Sequence, residues 1–217
     1  QIRSLHVFSL PVLMTGDPDF VSRQTHDARR FYLTLQPSEG QTLSLVCGGV
    51  ERMNADYVVE RSDFPYYAIE WVSEGRGLLT MGGKEHELAI GSMFAYGPGI
   101  PHRIRNVAPD NMRKYNLDLA GKEAGATLKE LGLFNGHPVK IRRPHEFVKL
   151  WNLIDREARD MGDHSHAICE MLIRVLLKKI RQRMVSKSAG ESTEAFQTFE
   201  MACRLIEERF LEFRTVE

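Results

Sequence analysis

The sequence predicts an α+β fold in which a β-barrel is followed by C-terminal α-helices. Two observations carry this prediction. Short apolar stretches separated by glycines and prolines fill residues 30–119, a pattern typical of all-β sandwiches and barrels. After residue 120 the apolar positions recur at helical spacing, with charged residues between them.

Nine strands are expected in the first half of the chain, each bounded by turn-forming residues. They span residues 30–35, 42–47, 55–60, 67–73, 77–81, 85–90, 92–96, 102–106 and 114–119. The strongest turn signal runs from Gly97 to His102, because two prolines stiffen the chain just before the next strand. Helical apolar spacing covers residues 147–154, 168–180 and 196–210, and Pro144 suits the first turn of the first helix.

The composition limits the classes of function. Lys+Arg and Asp+Glu both number 29 in 217 residues, so the chain lacks the basic excess of a strong nucleic-acid binder. The three cysteines are far apart and without Cys-x-x-Cys spacing, which favours reduced thiols over disulfides or zinc. No apolar run approaches membrane-spanning length, and the first residues lack a signal-peptide pattern. We therefore expect a cytoplasmic globular protein with no membrane partner.

Several polar side chains are predicted to point into the barrel, because successive strand residues face opposite sides. Alternation along residues 67–73 places Glu70 on the inner face, and an inward His102 places Ile104 inside as well. On the last strand, Lys114 and Asn116 belong to a polar face that borders either a cavity or solvent. A barrel interior with several polar groups indicates a small-molecule cavity.

The residues predicted to bind a small polyhydroxylated or anionic molecule are Arg61, Glu70, Tyr96, His102, Ile104, Lys114 and Asn116. A structural interpretation stays open beside this functional one. In it, Glu70 forms an ion pair with Arg61, His102 is an ordinary core histidine, and the polar face of the last strand is wet.

Two segments resemble the effector-binding domain of AraC-type transcription regulators. The first runs from Arg61 along a strand to Gly75-Arg76-Gly77, and the second is Phe94-Ala95-Tyr96-Gly97-Pro98-Gly99-Ile100-Pro101-His102. The resemblance implies a cupin/jelly-roll β-barrel that binds a small effector without a cofactor or catalytic residues. In relatives that bind sugars, the arginine matched by Arg61 and the strand after His102 contact the ligand, so a sugar-like effector is expected.

The resemblance also bears on metal binding. Metal-dependent cupins hold their ion with a His-x-His motif, a following Glu and the histidine that His102 matches. The first-motif positions fall on Arg61, Asp63 and Ala68, and neither a guanidinium nor a methyl group ligates a cation. We expect no metal. The alternative is a metal-dependent cupin enzyme, such as a sugar isomerase or dioxygenase.

The resemblance divides the chain into three parts. Residues 1–121 form the effector-binding barrel, in which residues 7–20 could act as an arm closing the mouth. Residues 122–190 form a helical dimerisation region, and residues 191–217 hold a linker and the start of a truncated helix-turn-helix domain that would bind DNA. The predicted homodimer seam consists of Leu150, Ile154, Leu172, Val175, Leu176 and Ile180. Alternatively, both helices pack on the chain's own barrel.

Overall fold

The computed structural model describes residues 17–38, 40–107, 109–185, 198–199, 201–203 and 205–206. Residues 7–16 of the predicted arm therefore lie outside the described residues, and so does most of the segment 191–217. Its described positions are helical.

Ten strands and three helices follow one another along the described chain. The strands are Thr25–Tyr32 (β1), Ser44–Met53 (β2), Val58–Arg61 (β3), Tyr67–Glu74 (β4), Gly77–Met81 (β5), Lys84–Leu88 (β6), Ser92–Tyr96 (β7), His102–Asn106 (β8), Arg113–Ala120 (β9) and Val139–Lys140 (β10). The helices are Ala124–Glu130 (α1), Pro144–Asp160 (α2) and Ser165–Arg183 (α3). The predicted order of a β-barrel followed by helices is confirmed.

The strands form two antiparallel sheets that face each other. The larger sheet has the order β1-β2-β9-β4-β7-β10, and the smaller has the order β3-β8-β5-β6. The tight connection between β5 and β6 is Gly82-Gly83, where φ angles of 60° and 75° require residues without a side chain. This arrangement is a jelly-roll barrel with helices added at one side.

The larger sheet is buried on both faces, since alternate residues belong to two different apolar clusters. On β4, Ala68 and Val72 face the smaller sheet and pack in the barrel interior. Ile69 and Trp71 face the other way and pack against the helices. The larger sheet therefore lies between the barrel interior and the helical layer, with one face toward each.

The helices α2 and α3 pack on the outer face of the larger sheet. Phe147 and Trp151 of α2 are fully buried in the same cluster as Ile173 of α3 and Trp71 of the sheet. Pro144 stands at the first turn of α2, as predicted, where the lack of an N–H donor leaves no hydrogen bond unmade. Among the described residues, no helix has the length and apolar character needed to cross a membrane.

Candidate ligand-binding site

A small cavity lies inside the barrel, between residues from both sheets and the N-terminal residues 20–22. Its volume is about 40 Å³. Since one water needs roughly 10–15 Å³ of such space, the cavity has room for a few waters, and a sugar would fit only if residues 20–22 moved out of its wall. Most of its lining side chains are polar or charged, in contrast to the apolar remainder of the interior.

The cavity floor carries a buried ion pair. Lys114 Nζ lies 2.9 Å from Glu70 Oε2 and 3.7 Å from Glu51 Oε2. Tyr96 donates its hydroxyl hydrogen to Glu70 Oε1 at 2.6 Å. Burial alone would raise the pKa of Glu70, but attraction to Lys114 and the Tyr96 hydrogen bond hold that pKa below its ordinary value. Glu70 is therefore a carboxylate at neutral pH although the protein surrounds it.

A second carboxyl group, that of Asp118, lies on the same face of β9 as Lys114 and has partners other than those of Glu70. The thiol of Cys47 donates a hydrogen bond to Asp118 Oδ2 at 3.1 Å. Burial, with repulsion from Glu70, raises the pKa of Asp118 from 3.8 to about 7. Burial and the neighbouring Asp118 also raise the pKa of the Cys47 thiol well above its ordinary value. Near neutral pH, Asp118 can thus either donate or accept a hydrogen bond in the cavity.

Two arginines bind the N-terminal segment 17–22 where it meets the cavity. Arg61 Nη2 donates to the carbonyl of Phe20 at 2.5 Å. Arg30 donates to Asp17 Oδ2 at 3.0 Å and to the carbonyl of Ser22 at 3.1 Å, and its Nε atom lies 2.6 Å from Glu51 Oε1. The described part of the predicted arm therefore lies beside the cavity, tied to cations that line it.

Comparison with known proteins assigns the barrel. The family model described as the AraC-like ligand-binding domain matches residues 47–177, more than half of the chain. The chain belongs to this family. The match covers β3 to β9 and the helices as far as Leu177, so it includes ten of the fifteen residues that line the cavity and most of the helical layer.

Solved structures are also similar to parts of the chain, at low sequence identity. The cupin domain of an XRE family transcriptional regulator from Enterobacter cloacae is 13% identical, with 42% of this chain and 93% of that chain covered and a TM-score of 0.31. KdgF from Halomonas sp. is 15% identical, with coverages of 48% and 87% and a TM-score of 0.33. A variant of salicylate 1,2-dioxygenase from Pseudoaminobacter salicylatoxidans is 17% identical, with coverages of 42% and 24% and a TM-score of 0.31. No curated protein sequence shows significant similarity to the chain.

The structure brings together five of the seven side chains predicted to bind ligand. The cavity of the AraC-like domain is lined by Arg61, Glu70, Tyr96, Lys114 and Asn116. The sequence left open whether the polar face of β9 borders a cavity or solvent. In the structure this face borders the cavity. The partner expected for Glu70 in the structural interpretation was wrong, since Lys114 rather than Arg61 forms its ion pair.

The other two predicted side chains, His102 and Ile104, lie deeper in the AraC-like domain and do not line the cavity formed by the described residues. Ile104 is fully buried in the apolar interior. The His102 ring stacks on Tyr96 with centroids 3.7 Å apart, and its Nδ1 lies 3.0 Å from the carbonyl of Ile100. Burial lowers the pKa of His102, so its imidazole is neutral and supports the Tyr96 ring beside the cavity.

The donor set of a metal-dependent cupin does not fit these residues. Arg61 is a cation, Ala68 has no donor atom, and Asp63 Oδ1 accepts hydrogen bonds from the backbone N–H groups of Gly99 and Phe64. Within the described ranges, no three His, Cys, Asp or Glu side chains converge in a way that could hold an ion. The AraC-like domain therefore offers no counterpart of the cupin metal site at these positions.

The helix positions predicted as a dimer seam are divided between the core and the surface. Ile154, Leu176 and Ile180 are fully buried in the chain's own core, so their place in the seam was wrong: they have no surface left for a second copy. Leu150 and Leu172 are partly buried against that core. Val175 is 46% exposed. Packing on the own barrel, the alternative from the sequence, is confirmed for both helices.

Sequence reasoning missed several side chains that line the cavity. Asp118 continues the alternation of Lys114 and Asn116, so the period of two could have found it. Glu51 and Tyr57 gave no such signal, because they reach the cavity through the pairing of β2 with β9 and through a turn. Strand pairing is a long-range property that local patterns do not reveal.

Proposed function

We propose that this AraC-like domain is the effector-sensing part of a bacterial transcriptional regulator, and that a small polar, sugar-like molecule binds in its barrel. The observation that carries the proposal is the polar cavity itself. Buried charges are disfavoured unless they are paired, and the Lys114–Glu70 pair stands in a cavity rather than in a close-packed core. Convergent polar groups in a concave interior are typical of ligand sites.

Two contacts link the cavity to the helical layer. The Asn116 side chain lines the cavity, and its backbone carbonyl accepts a hydrogen bond from Trp151 Nε1 on α2 at 3.2 Å. On β1, Arg30 lines the cavity while the adjacent Arg29 donates to Asn152 Oδ1 of α2 at 2.8 Å. A ligand that shifts β1 or β9 would therefore shift α2, which is how an effector could bias the arrangement of a regulator.

The output of the regulator would come from a dimer and from a DNA-binding part that follows the barrel. Val175 and Met171 are exposed one helical turn apart on α3, with Met171 59% exposed, and they form the apolar surface left for a second copy. On the resemblance described above, DNA binding is assigned to the helix-turn-helix region that would begin within residues 191–217. Such a protein would act in the cytoplasm.

A transcriptional reporter tests this proposal. The 217-residue chain is joined to a heterologous helix-turn-helix DNA-binding domain, and the reporter is measured with a panel of sugars and sugar acids supplied one at a time. We expect at least one compound to change expression. The Asn116→Leu variant, which replaces the amide that lines the cavity with an apolar group of similar size, should abolish the response, and the surface variant Arg103→Gln should retain it.

A reporter that ignores every compound, or that responds equally in Asn116→Leu, would count against a sensing role. Metal analysis of the purified protein separates the rival function. Stoichiometric iron, manganese or nickel would support a metal-dependent enzyme instead, in spite of the donor set described above.

A further inference from the structure

We propose that the natural effector is a small organic carboxylate whose anionic group replaces the N-terminal segment 17–22 on Arg61 and Arg30. This inference rests on the proposed function and names the chemical class that the cavity selects. It starts from the N-terminal segment that Arg30 and Arg61 bind.

The segment and a ligand compete for the same space. A cavity of about 40 Å³ accommodates a few waters, so a larger molecule must displace the residues that complete its wall. Phe20, Val21 and Ser22 belong to the part of that wall outside the strands, together with Tyr57 and Phe64, and they enter it from a chain segment without regular structure. Displacing them disrupts less hydrogen bonding than moving a strand.

The atoms that the segment offers to the arginines describe the ligand. They are the Asp17 carboxylate and the carbonyl oxygens of Phe20 and Ser22, and each accepts a hydrogen bond from Arg30 or Arg61. All three are acceptors, and one is an anion. A ligand that takes their place has to present acceptors to two guanidinium groups, which is the chemistry of a carboxylate.

The charges left behind favour the same class. With the segment in place, Arg30 has two carboxylate partners, Asp17 and Glu51, and Lys114 has Glu70 and Glu51. Within the described residues, the hydrogen bond of Arg61 goes to a neutral carbonyl rather than to a carboxylate.

Removing the segment takes away the Asp17 anion and the Phe20 acceptor together. Three cations, Arg30, Arg61 and Lys114, then face the carboxyl groups of Glu51, Glu70 and Asp118, and the pKa of Asp118 is raised to about 7. An incoming carboxylate replaces the negative charge of Asp17 and gives Arg61 an anionic acceptor, whereas a neutral sugar supplies no negative charge.

Calorimetric titration with matched probe pairs tests the inference. The pairs are D-glucuronate with D-glucose, benzoate with benzamide, and lactate with lactamide, each titrated into the purified 217-residue protein at fixed pH and low ionic strength. We expect at least one carboxylate to bind about tenfold or more tightly than its neutral partner, the change expected from one charge-assisted hydrogen bond.

Variants of Arg61 and Asp17, with a surface control, assign the preference to the proposed atoms. Arg61→Gln should remove most of the preference for the carboxylate, Arg61→Lys should restore part of it, and the exposed control Arg103→Gln should keep it. Asp17→Ala should tighten carboxylate binding several-fold, because it removes the internal anion that competes for Arg30. A variant that merely destabilises the fold does not bind more tightly.

The inference is overturned if no carboxylate binds, if a neutral partner binds as tightly as its carboxylate, or if Arg61→Gln keeps the full preference. A neutral sugar that binds in the cavity would overturn the carboxylate while leaving the proposed function intact. Failure of the proposed function is seen separately, in a reporter that responds to no compound of either charge.

Discussion

Lys114 Nζ lies 2.9 Å from Glu70 Oε2, and the two side chains are 6% and 3% exposed. Burial alone would lower the pKa of Lys114, but Glu70, Tyr57 and Glu51 together raise that pKa above its ordinary value. The pair therefore stays ionised in the barrel interior. Each member depends on the other, because an unpaired charge at this depth is far more costly than the pair.

Removing Lys114 alone should destabilise the fold strongly. We expect Lys114→Met to lower the free energy of unfolding by about 3–5 kcal/mol, since it leaves Glu70 buried without its cation. The double variant Lys114→Met with Glu70→Gln should recover most of that loss. Urea denaturation followed by circular dichroism measures both. Equal losses in the single and double variants would show that the charge pairing is not the cause.

The pH dependence of stability should carry the signature of Asp118. Its pKa is 3.8 in model peptides and about 7 in the folded protein, so the folded state keeps a proton that the unfolded state has released across this range. Asp118 therefore makes stability fall as the pH rises from about 4 to about 7, and its effect is constant above that window. The groups facing it are Cys47, Glu70, Lys114 and Arg61.

Asp118→Asn removes this titration and keeps the size of the side chain. The gain in unfolding free energy of the variant over the wild type should grow with pH across the same window. Taking the difference between the two proteins cancels the other titrating groups. Curves that stay parallel from pH 4 to 7 would contradict the raised pKa of Asp118.

Local patterns predicted the fold well because each strand shows its own period. The turns at Gly82-Gly83 and Gly97-Pro98 bound strands that lie at the predicted places, from β5 to β8. The first strand was placed too late, at 30–35 instead of Thr25–Tyr32, because its residues His26 to Arg29 are exposed and mostly polar, without an apolar alternation. The short β10 was missed because two residues give no period.

The site was harder to predict than the fold. Alternation on β4 and β9 correctly placed Glu70, Lys114 and Asn116 at one cavity. It did not show that Lys114, rather than Arg61, neutralises Glu70, since β4 and β9 are neighbours only through sheet pairing. Helical spacing likewise found the apolar positions of α3 without showing whether they face the barrel or a second copy.

The N-terminal segment should loosen when Asp17 is replaced. Asp17 accepts hydrogen bonds from Tyr32 at 2.6 Å and from Arg30 at 3.0 Å, and these hold the start of the described chain on β1. We expect Asp17→Ala to speed hydrogen exchange of the backbone amides at residues 19–22 several-fold. The exposed-turn variant Asp56→Ala serves as the control. Unchanged exchange at these amides would mean that other contacts hold the segment.

Substitutions at an exposed and at a buried position of α3 should affect self-association and stability separately. Val175 is exposed and Ile180 is fully buried, although both are apolar positions of one helix. If the protein is a dimer, Val175→Glu should shift it to monomer in sedimentation at micromolar concentration with little loss of stability. Ile180→Ala should lower the unfolding free energy by about 2–5 kcal/mol and leave association unchanged. A wild type that sediments only as a monomer would refute the dimer.

Trp151 should report ligand binding through its hydrogen bond to the cavity strand. The chain has two tryptophans, and only the Trp151 indole donates to the carbonyl of Asn116, a cavity residue. Trp71 stacks on Tyr115 on the helical side of the sheet, with ring centroids 5.2 Å apart. A ligand that moves β9 changes the polar surroundings of the Trp151 ring, so the emission of a Trp71→Phe variant should shift on addition of a binding carboxylate.

The reciprocal variant tests whether the contact transmits the signal or only reports it. Trp151→Phe keeps the aromatic packing and removes the N–H donor, so β9 and α2 lose their described hydrogen bond. We expect this variant to bind ligand with nearly unchanged affinity, since the indole does not line the cavity, while the reporter response of the chimera falls. A full response without the Trp151 donor would place the coupling elsewhere, with the contacts of Arg29 to Asn152 and Asp155 as the next route to test.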